Sequence, residues 1–254
     1  MNRQFTVVAV VLSAVALFLP ARSQTFTRVA VDGRAMRMLV AGSGEPTVVF
    51  ENGLGPPLEM WGKVQPHVSR FARTVAYDRF GVGLSDAAPP PRDGRHIAAE
   101  LRRALRAAGI APPYILVGSS LGGPYIRVFA AMYPDDVAGM VLVDPTPDSE
   151  LWRWPETLAQ ARASRVPTGI PVFLIDAISP LEVPFATKAI RALRMKNRAA
   201  LEAESLEYKQ WLDTIPRSRL ITTTRSGHNV PIEQPELVVE TIRLAVRQAR
   251  AGRD

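Results

Sequence analysis

The sequence predicts an α/β fold, a mostly parallel eight-stranded sheet with helices on both faces and a small lid segment. Two observations support this prediction. Short apolar runs rich in β-branched residues alternate with segments of helical periodicity along the 254-residue chain. One such run, residues 114–117, ends in Gly-x-Ser-x-Gly-Gly at residues 118–123, and a helix-like segment follows at residues 125–133. This order of strand, sharp turn and helix places a serine at the turn.

The strands and helices follow from local patterns. Residues 25–31 and 35–41 alternate around an Asp32-Gly33 turn, which predicts a hairpin. Apolar residues Ile97, Leu101 and Leu105 share one face of a predicted helix that Gly109 ends. The other strands are expected at residues 47–51, 74–77, 114–117, 140–143, 171–175 and 220–224. Helices are expected at residues 58–71, 95–108, 188–212 and 235–250.

Composition excludes several classes of function. The chain has no cysteine, which excludes disulfides, thiolate catalysis and thiolate metal sites. Its formal net charge of +7 raises the possibility of nucleic-acid binding. The arginines are scattered, however, and no aromatic residues interleave with them as stacking platforms. The charge is therefore interpreted as a solvated surface, and no nucleic-acid partner is expected.

The N-terminus resembles a secretory signal peptide. Arg3 precedes a short apolar stretch at residues 5–19, and small residues Ala21 and Ser23 follow it. Cleavage after Ser23 is predicted, which would leave a secreted or periplasmic domain of residues 24–254 with no stable membrane span. The apolar stretch is short for a membrane helix, which needs about 20 residues. An uncleaved N-terminal membrane anchor is the alternative.

The segment 145–169 has little periodicity and holds two tryptophans, Trp152 and Trp154. We interpret it as a short lid or cap over the site and not as a second domain. The tryptophans either line the site or pack the segment onto the body, since aromatic residues serve both roles.

Ser120 is the candidate nucleophile. Its position in the motif, unlike that of Ser119, exposes the hydroxyl at the turn, where the backbone is strained. Gly118 and Gly122 are the elbow glycines, because the turn leaves no room for side chains beside the serine.

A serine needs a general base, and the base needs an acid to orient it. Of the three histidines, only His228 follows Ser120 in sequence and lies in a loop at the end of a predicted strand. Two aspartates, Asp144 and Asp176, end strands between Ser120 and His228, so both are candidates for the acid.

An acyl-transfer intermediate also needs two donors for its oxyanion. The backbone N–H of Leu121, directly after the nucleophile, is expected to supply one. The second is expected from the loop after residues 47–51, and Leu54 is the candidate because the flanking Gly53 and Gly55 let the backbone approach a substrate.

Together these segments resemble the α/β-hydrolase superfamily, and more narrowly its single-domain serine hydrolases with a short cap. The resemblance covers nearly all of the chain from about Thr25. It rests on Asn52-Gly53-Leu54-Gly55, the 77–85 segment beginning Tyr77-Asp78-Arg79, the elbow, Val141-Leu142-Val143-Asp144-Pro145 and Ser226-Gly227-His228.

The chain departs from the family pattern at three places. Asn52-Gly53 stands where relatives often have His-Gly, and Ser119 stands where they often have histidine. Many relatives take the acid from a Gly-x-x-Asp turn that this chain lacks near Asp176, whereas others take it from the strand after the elbow helix. The resemblance therefore ranks Asp144 first. It also implies that the 77–85 segment braces the oxyanion loop, with Asp78 and Arg79 interpreted as a structural pair.

The resemblance implies a serine hydrolase that cleaves carboxylic esters through an acyl-enzyme, with no metal and no organic cofactor. Its expected partner is a small-molecule ester or related acyl substrate. The alternatives are another acyl-transfer hydrolase on the same triad (aminopeptidase, thioesterase, lactonase or perhydrolase), or a catalytically silent binding protein on this fold.

Overall fold

A computed structural model describes residues 25–178 and 198–252. The predicted signal peptide therefore lies outside the described residues, as do residues 188–197 of the predicted helix 188–212. Within the described residues, eight strands form one sheet, at the predicted places: β1 Thr25–Val31, β2 Arg34–Ala41, β3 Thr47–Glu51, β4 Thr74–Tyr77, β5 Tyr114–Ser119, β6 Val137–Val143, β7 Val172–Ala177 and β8 Ser218–Thr223.

The strand order is β1-β2-β4-β3-β5-β6-β7-β8. β2 runs antiparallel to both of its neighbours, and the pairs from β4 to β8 are parallel. The chain passes from β3 to β4 on one side and then crosses to β5 on the other. The loops after β3 and β5 therefore open a crevice at the carboxyl edge of the sheet, where such folds bind ligands.

Alternate residues of the central strands feed two cores on opposite faces of the sheet. In β5, Tyr114 and Leu116 join one core, while Ile115 and Val117 join the other. This two-sided burial explains why the strands read as continuous apolar runs.

Helices cover both faces. Among the described residues, the α-helices are α1 Gln65–Val68, α2 Gly94–Ala107, α3 Gly122–Met132, α4 Pro155–Ala163, α5 Arg198–Leu212, α6 Val230–Glu233 and α7 Pro235–Ala251. Buried side chains of α2 and α3 belong to one core, and those of α1 and α7 belong to the other. In the part of the chain that the structure describes, no helix has the length and apolar character to cross a membrane.

The single helix predicted for residues 58–71 is wrong. The structure has a 3₁₀ helix at Leu58–Trp61 and the one-turn helix α1 instead. Pro66 explains the break, because it has no N–H with which to continue a helix from the preceding turn.

Segment 145–169 is more regular than its sequence indicates. It contains a 3₁₀ helix at Asp148–Arg153 and helix α4. The Thr157 hydroxyl accepts the Gly94 N–H at 3.2 Å, which ties α4 to the start of α2. Trp154 packs against the core and Trp152 is largely exposed, so the two tryptophans have different environments. The interpretation of this segment as a lid stays a prediction.

Candidate active site

Ser120 lies at the turn between β5 and α3 in a left-handed conformation, with φ of 53°. Such a conformation is rare for a residue with a side chain and persists only where the surroundings enforce it. A Cβ at Gly118 would lie 2.5 Å from the Gly122 carbonyl oxygen, and one at Gly122 would lie 2.5 Å from the Glu51 oxygen. The two elbow glycines are therefore required by close backbone approach, as the motif predicts.

Three of the candidate residues form one hydrogen-bonded chain. His228 Nε2 lies 2.9 Å from Ser120 Oγ, and His228 Nδ1 lies 2.5 Å from Asp144 Oδ2. With Nδ1–H donated to the carboxylate, Nε2 is the nitrogen that accepts the serine proton. The geometry is that of a nucleophile, a base and an orienting acid.

The backbone of β7 orients the Asp144 carboxylate. Asp144 Oδ1 accepts the Ala177 N–H at 2.9 Å, so each carboxylate oxygen has its own donor. The Asp144 N–H donates to the Ile175 oxygen at 2.7 Å. Asp144 follows β6 with φ of 43°, a second left-handed conformation at the carboxyl edge of the sheet.

Asp176, the alternative acid, has a different partner. Its carboxylate accepts the Ser205 hydroxyl from α5. Burial raises the pKa of Asp176 to about 6; the Ser205 bond opposes this rise, and the negative charge of Asp144 adds to it. Burial also raises the pKa of Glu204 to about 7, and the charge of Glu150 contributes next.

The candidate oxyanion donors come from two elements. Leu121 is the N-cap of α3, so its N–H belongs to the first-turn groups that have no acceptor inside the helix. Leu54 follows Gly53, where a Cβ would lie 3.0 Å from Ser120 Cβ, so the loop closely approaches the serine. Arg79 Nη2 donates to the Gly53 oxygen at 2.6 Å. In a trans peptide the N–H points opposite to the carbonyl, so this bond directs the Leu54 N–H away from Arg79.

The interpretation of Asp78 and Arg79 as a pair is wrong. Arg79 forms a buried ion pair with Glu51, which also accepts the Tyr77 hydroxyl. The Asp78 carboxylate instead accepts the Leu58 N–H at 2.8 Å and pairs with Arg37 at 3.3 Å. Residues adjacent in an extended segment point to opposite sides, which explains the separate partners.

Sequence reasoning missed Glu51 as the partner of Arg79. The sequence did hold a signal for this pairing. Glu51 is a charged residue at the end of an apolar strand, and a buried carboxylate requires a partner. Burial raises the pKa of Glu51, and the charge of Arg79 and the Tyr77 hydroxyl oppose that rise. Arg79 also donates to the Asn52 oxygen at 2.6 Å, so the pair holds the loop that follows β3.

The described residues contain no candidate metal site. Within residues 25–178 and 198–252, no three histidine or carboxylate side chains are arranged to hold a metal ion.

Comparisons with known proteins identify the family of this chain. A model of the family described as alpha/beta hydrolase fold matches residues 46–231. Pyrrolizixenacetamide deacetylase from Xenorhabdus hominickii is 28% identical over 233 residues, which cover 85% of this chain and 86% of the deacetylase. An uncharacterized protein of Bacillus subtilis, YqjL, is 35% identical over 104 residues, or 41% of each chain. The chain spans 41% of YqjL and 37% of a second uncharacterized relative from that organism, YbdG.

Solved structures share the architecture. A thermophilic esterase from Thermogutta terrifontis superimposes with a TM-score of 0.64 at 20% identity, covering 90% of this chain and 98% of the esterase. Likeness at this identity shows a shared fold. Because the family model covers most of the sheet, the elbow and the histidine loop, the chain belongs to the alpha/beta hydrolase fold family.

Proposed function

We propose that this chain is a serine hydrolase that cleaves carboxylic esters through an acyl-enzyme intermediate. The hydrogen-bonded chain of Ser120, His228 and Asp144 is the single observation that carries the proposal. The serine lies within 2.9 Å of a base, and the base has an acid at its other nitrogen. This order of groups activates a hydroxyl near neutral pH.

The reaction begins when Ser120 Oγ attacks the carbonyl carbon of the ester and its proton passes to His228 Nε2. The carbonyl oxygen becomes an oxyanion, which the Leu54 and Leu121 N–H groups stabilise. The intermediate collapses, the bond to the alcohol oxygen breaks, and His228 returns the proton to that oxygen. Water then attacks the acyl-enzyme, again with His228 as base, and releases the acid and free Ser120.

Asp144 acts throughout by accepting the Nδ1–H of His228. It fixes the tautomer that leaves Nε2 free to take a proton, and its charge stabilises the imidazolium that forms. The substrate is a small molecule with an accessible acyl group.

Deacetylation of an amide is the second candidate. It is favoured by the similarity to pyrrolizixenacetamide deacetylase, which extends over 85% of this chain. The same steps apply, with an amine in place of the alcohol as the leaving group.

Turnover of p-nitrophenyl esters, from short to long acyl chains, tests the proposal. Ser120→Ala is expected to lose hydrolysis by several orders of magnitude. Ser119→Ala provides a matched control, because the buried neighbouring hydroxyl lies in the same turn and has no step in the mechanism. A p-nitroanilide series run in parallel separates ester from amide cleavage.

Two results would overturn the proposal. One is equal hydrolysis by the wild type and Ser120→Ala. The other is a folded wild type that neither turns over any ester nor labels with a fluorophosphonate probe, which would favour a silent binding protein.

Export is a separate part of the proposal: mass spectrometry of the protein made with residues 1–23 is expected to find an N-terminus at Gln24, and an intact Met1 in the exported protein would contradict it.

A further inference from the structure

The turn that carries the proposed acid is strained and needs external support. Asp144 has φ of 43°, and Pro145 follows it. A left-handed residue with a side chain lies in a sparsely populated region, and surrounding contacts must hold it there. The direction of the carboxylate depends on this backbone, because Asp144 Oδ2 reaches His228 only from the present orientation.

The acid turn is also joined directly to the nucleophile elbow. The Ser120 N–H donates to the Val143 oxygen at 3.2 Å, and the Thr146 N–H donates to the Ser120 oxygen at 3.0 Å. These two bonds tie the left-handed Ser120 to residues on either side of the left-handed Asp144. A displacement of the acid turn would therefore disturb both ends of the hydrogen-bonded chain.

Helix α5 supports the outer side of this turn. The Tyr208 hydroxyl donates to the carbonyl oxygen of Pro145, and Tyr208 is 6% exposed. One residue earlier in α5, Glu207 accepts the Asp148 N–H at 2.6 Å. Two successive residues of one helix thus hold the segment that leaves Asp144.

The hydroxyl of Tyr208 keeps its proton at the pH at which hydrolases operate. Burial raises the pKa of Tyr208 well above its ordinary value of 10, and the negative charge of Asp144 adds to the rise. The group is therefore a permanent donor to Pro145.

We propose that Tyr208 is a positioning residue for the hydrolytic reaction: its bond to Pro145 fixes the Asp144 turn and through it the alignment of His228. The inference rests on the proposed function, since it assigns to Tyr208 an effect on that same site. Helix α5 follows β7 and lies outside the elbow and the histidine loop. Through Tyr208, it takes a direct part in aligning the acid.

Tyr208→Phe tests this role and keeps the ring while removing the hydroxyl. We expect kcat to fall on the order of tenfold, because small misplacements of a catalytic group are costly, while KM changes by less than about twofold. Tyr114→Phe is the matched control. Tyr114 is also a buried tyrosine whose hydroxyl donates to a backbone oxygen, that of Ile110 at 2.7 Å, at the opposite end of β5 from the elbow.

Tyr114→Phe is expected to lower the melting temperature about as much as Tyr208→Phe and to leave kcat unchanged. Equal kcat values for the two variants would overturn the proposal. If Tyr208→Phe fails to fold, Glu207→Leu, which removes the acceptor of the Asp148 N–H, carries the same expectation for kcat.

A double-mutant cycle separates positioning from a general structural effect. In an Asp144→Asn background the carboxylate is already lost, so adding Tyr208→Phe is expected to cost less than about twofold in kcat. The same tenfold loss in both backgrounds would show that Tyr208 does not act through Asp144. If the wild type shows no Ser120-dependent hydrolysis, the proposed function fails; if it does and the two tyrosine variants match, only this inference fails.

Discussion

The two sides of the nucleophile elbow differ in their buried charged groups. On the side of β3 and β4, Glu51 and Arg79 form a buried pair of opposite charge. On the side of β6 and β7, three further acidic groups lie near Asp144: Asp176, Glu150 and Glu204. The first arrangement neutralises buried charge with charge, whereas in the second burial raises the pKa values of Asp176 and Glu204.

This difference assigns different tasks to the two sides. The Glu51–Arg79 pair holds the Asn52 and Gly53 carbonyls with guanidinium donors, so the candidate oxyanion loop is fixed by charges that need no proton exchange. Asp176 and Glu204, with pKa values raised to about 6 and about 7, change their charge near neutral pH. The pH sensitivity of the site is therefore expected on the acid side.

Asparagine substitutions at the two strand-end aspartates give the largest expected contrast. Asp144→Asn is expected to lower kcat by roughly 10⁴-fold, because the amide cannot hold His228 in the required tautomer. Asp176→Asn, the matched variant one strand away, is expected to stay within a few-fold of the wild type. Steady-state kinetics with one ester decide this, and a collapse confined to Asp176→Asn would reverse the assignment of the acid.

Arg79→Met tests the opposite side. We expect a loss of about 3–5 kcal/mol in the free energy of unfolding, because Glu51 is left charged and buried without its partner. Turnover is expected to fall as well, since Gly53 loses the donor that orients its peptide. Arg102→Met is the control, because Arg102 forms a partly exposed ion pair with Asp136 at 2.6 Å. A loss of about 1 kcal/mol in the free energy of unfolding is expected there.

The double variant Glu51→Gln/Arg79→Met sharpens this test. It removes both charges, so most of the stability measured by urea unfolding is expected to return, whereas turnover is not. Recovery of both quantities together would show that the pair affects turnover only through global stability.

The pH dependence of stability gives the smallest expected effect. Asp176 binds its proton more tightly in the folded protein, with a pKa of about 6, than in the unfolded chain, where an aspartate titrates near 3.9. Its contribution to stability is therefore fully present below about pH 4 and is lost as the pH rises to about 6. Between pH 4 and pH 8, the free energy of unfolding of Asp176→Asn should rise by about 1 kcal/mol relative to that of the wild type, after discounting for partial solvent screening.

Urea unfolding at the two pH values measures that difference. Asp86→Asn provides a control whose difference from the wild type should stay nearly constant between these two pH values, because the Ala35 N–H holds the pKa of Asp86 below its usual value and its contribution changes mainly below about pH 4. If the difference in the free energy of unfolding between the wild type and Asp176→Asn is the same at both pH values, the raised pKa is contradicted.

Local patterns were sufficient for the strands and the elbow. Eight strands were predicted and eight are observed among the described residues, and the central strands read as apolar runs because most of their side chains are buried on one or the other face of the sheet. The elbow was equally predictable, because the Gly-x-Ser-x-Gly spacing of Gly118, Ser120 and Gly122 is a local signal, although the contact that requires Gly122 comes from the distant Glu51 carbonyl. The helix expected at residues 58–71 failed where a local signal, Pro66, was outweighed by apolar periodicity.

Long-range contacts required the tertiary structure. Asp144 follows β6 and Asp176 lies near the end of β7, so local patterns left both as candidates, and the position of the His228 loop, 84 residues after Asp144, distinguishes them. The pairing of Arg79 with Glu51 depends on the crossing from β3 to β4, and the contact of Tyr208 with Pro145 spans 63 residues. The sequence alone determined which residue types stand at each turn, because backbone sterics act locally. Only the tertiary structure decided which turns meet, because sheet order and helix packing bring distant donors and acceptors together.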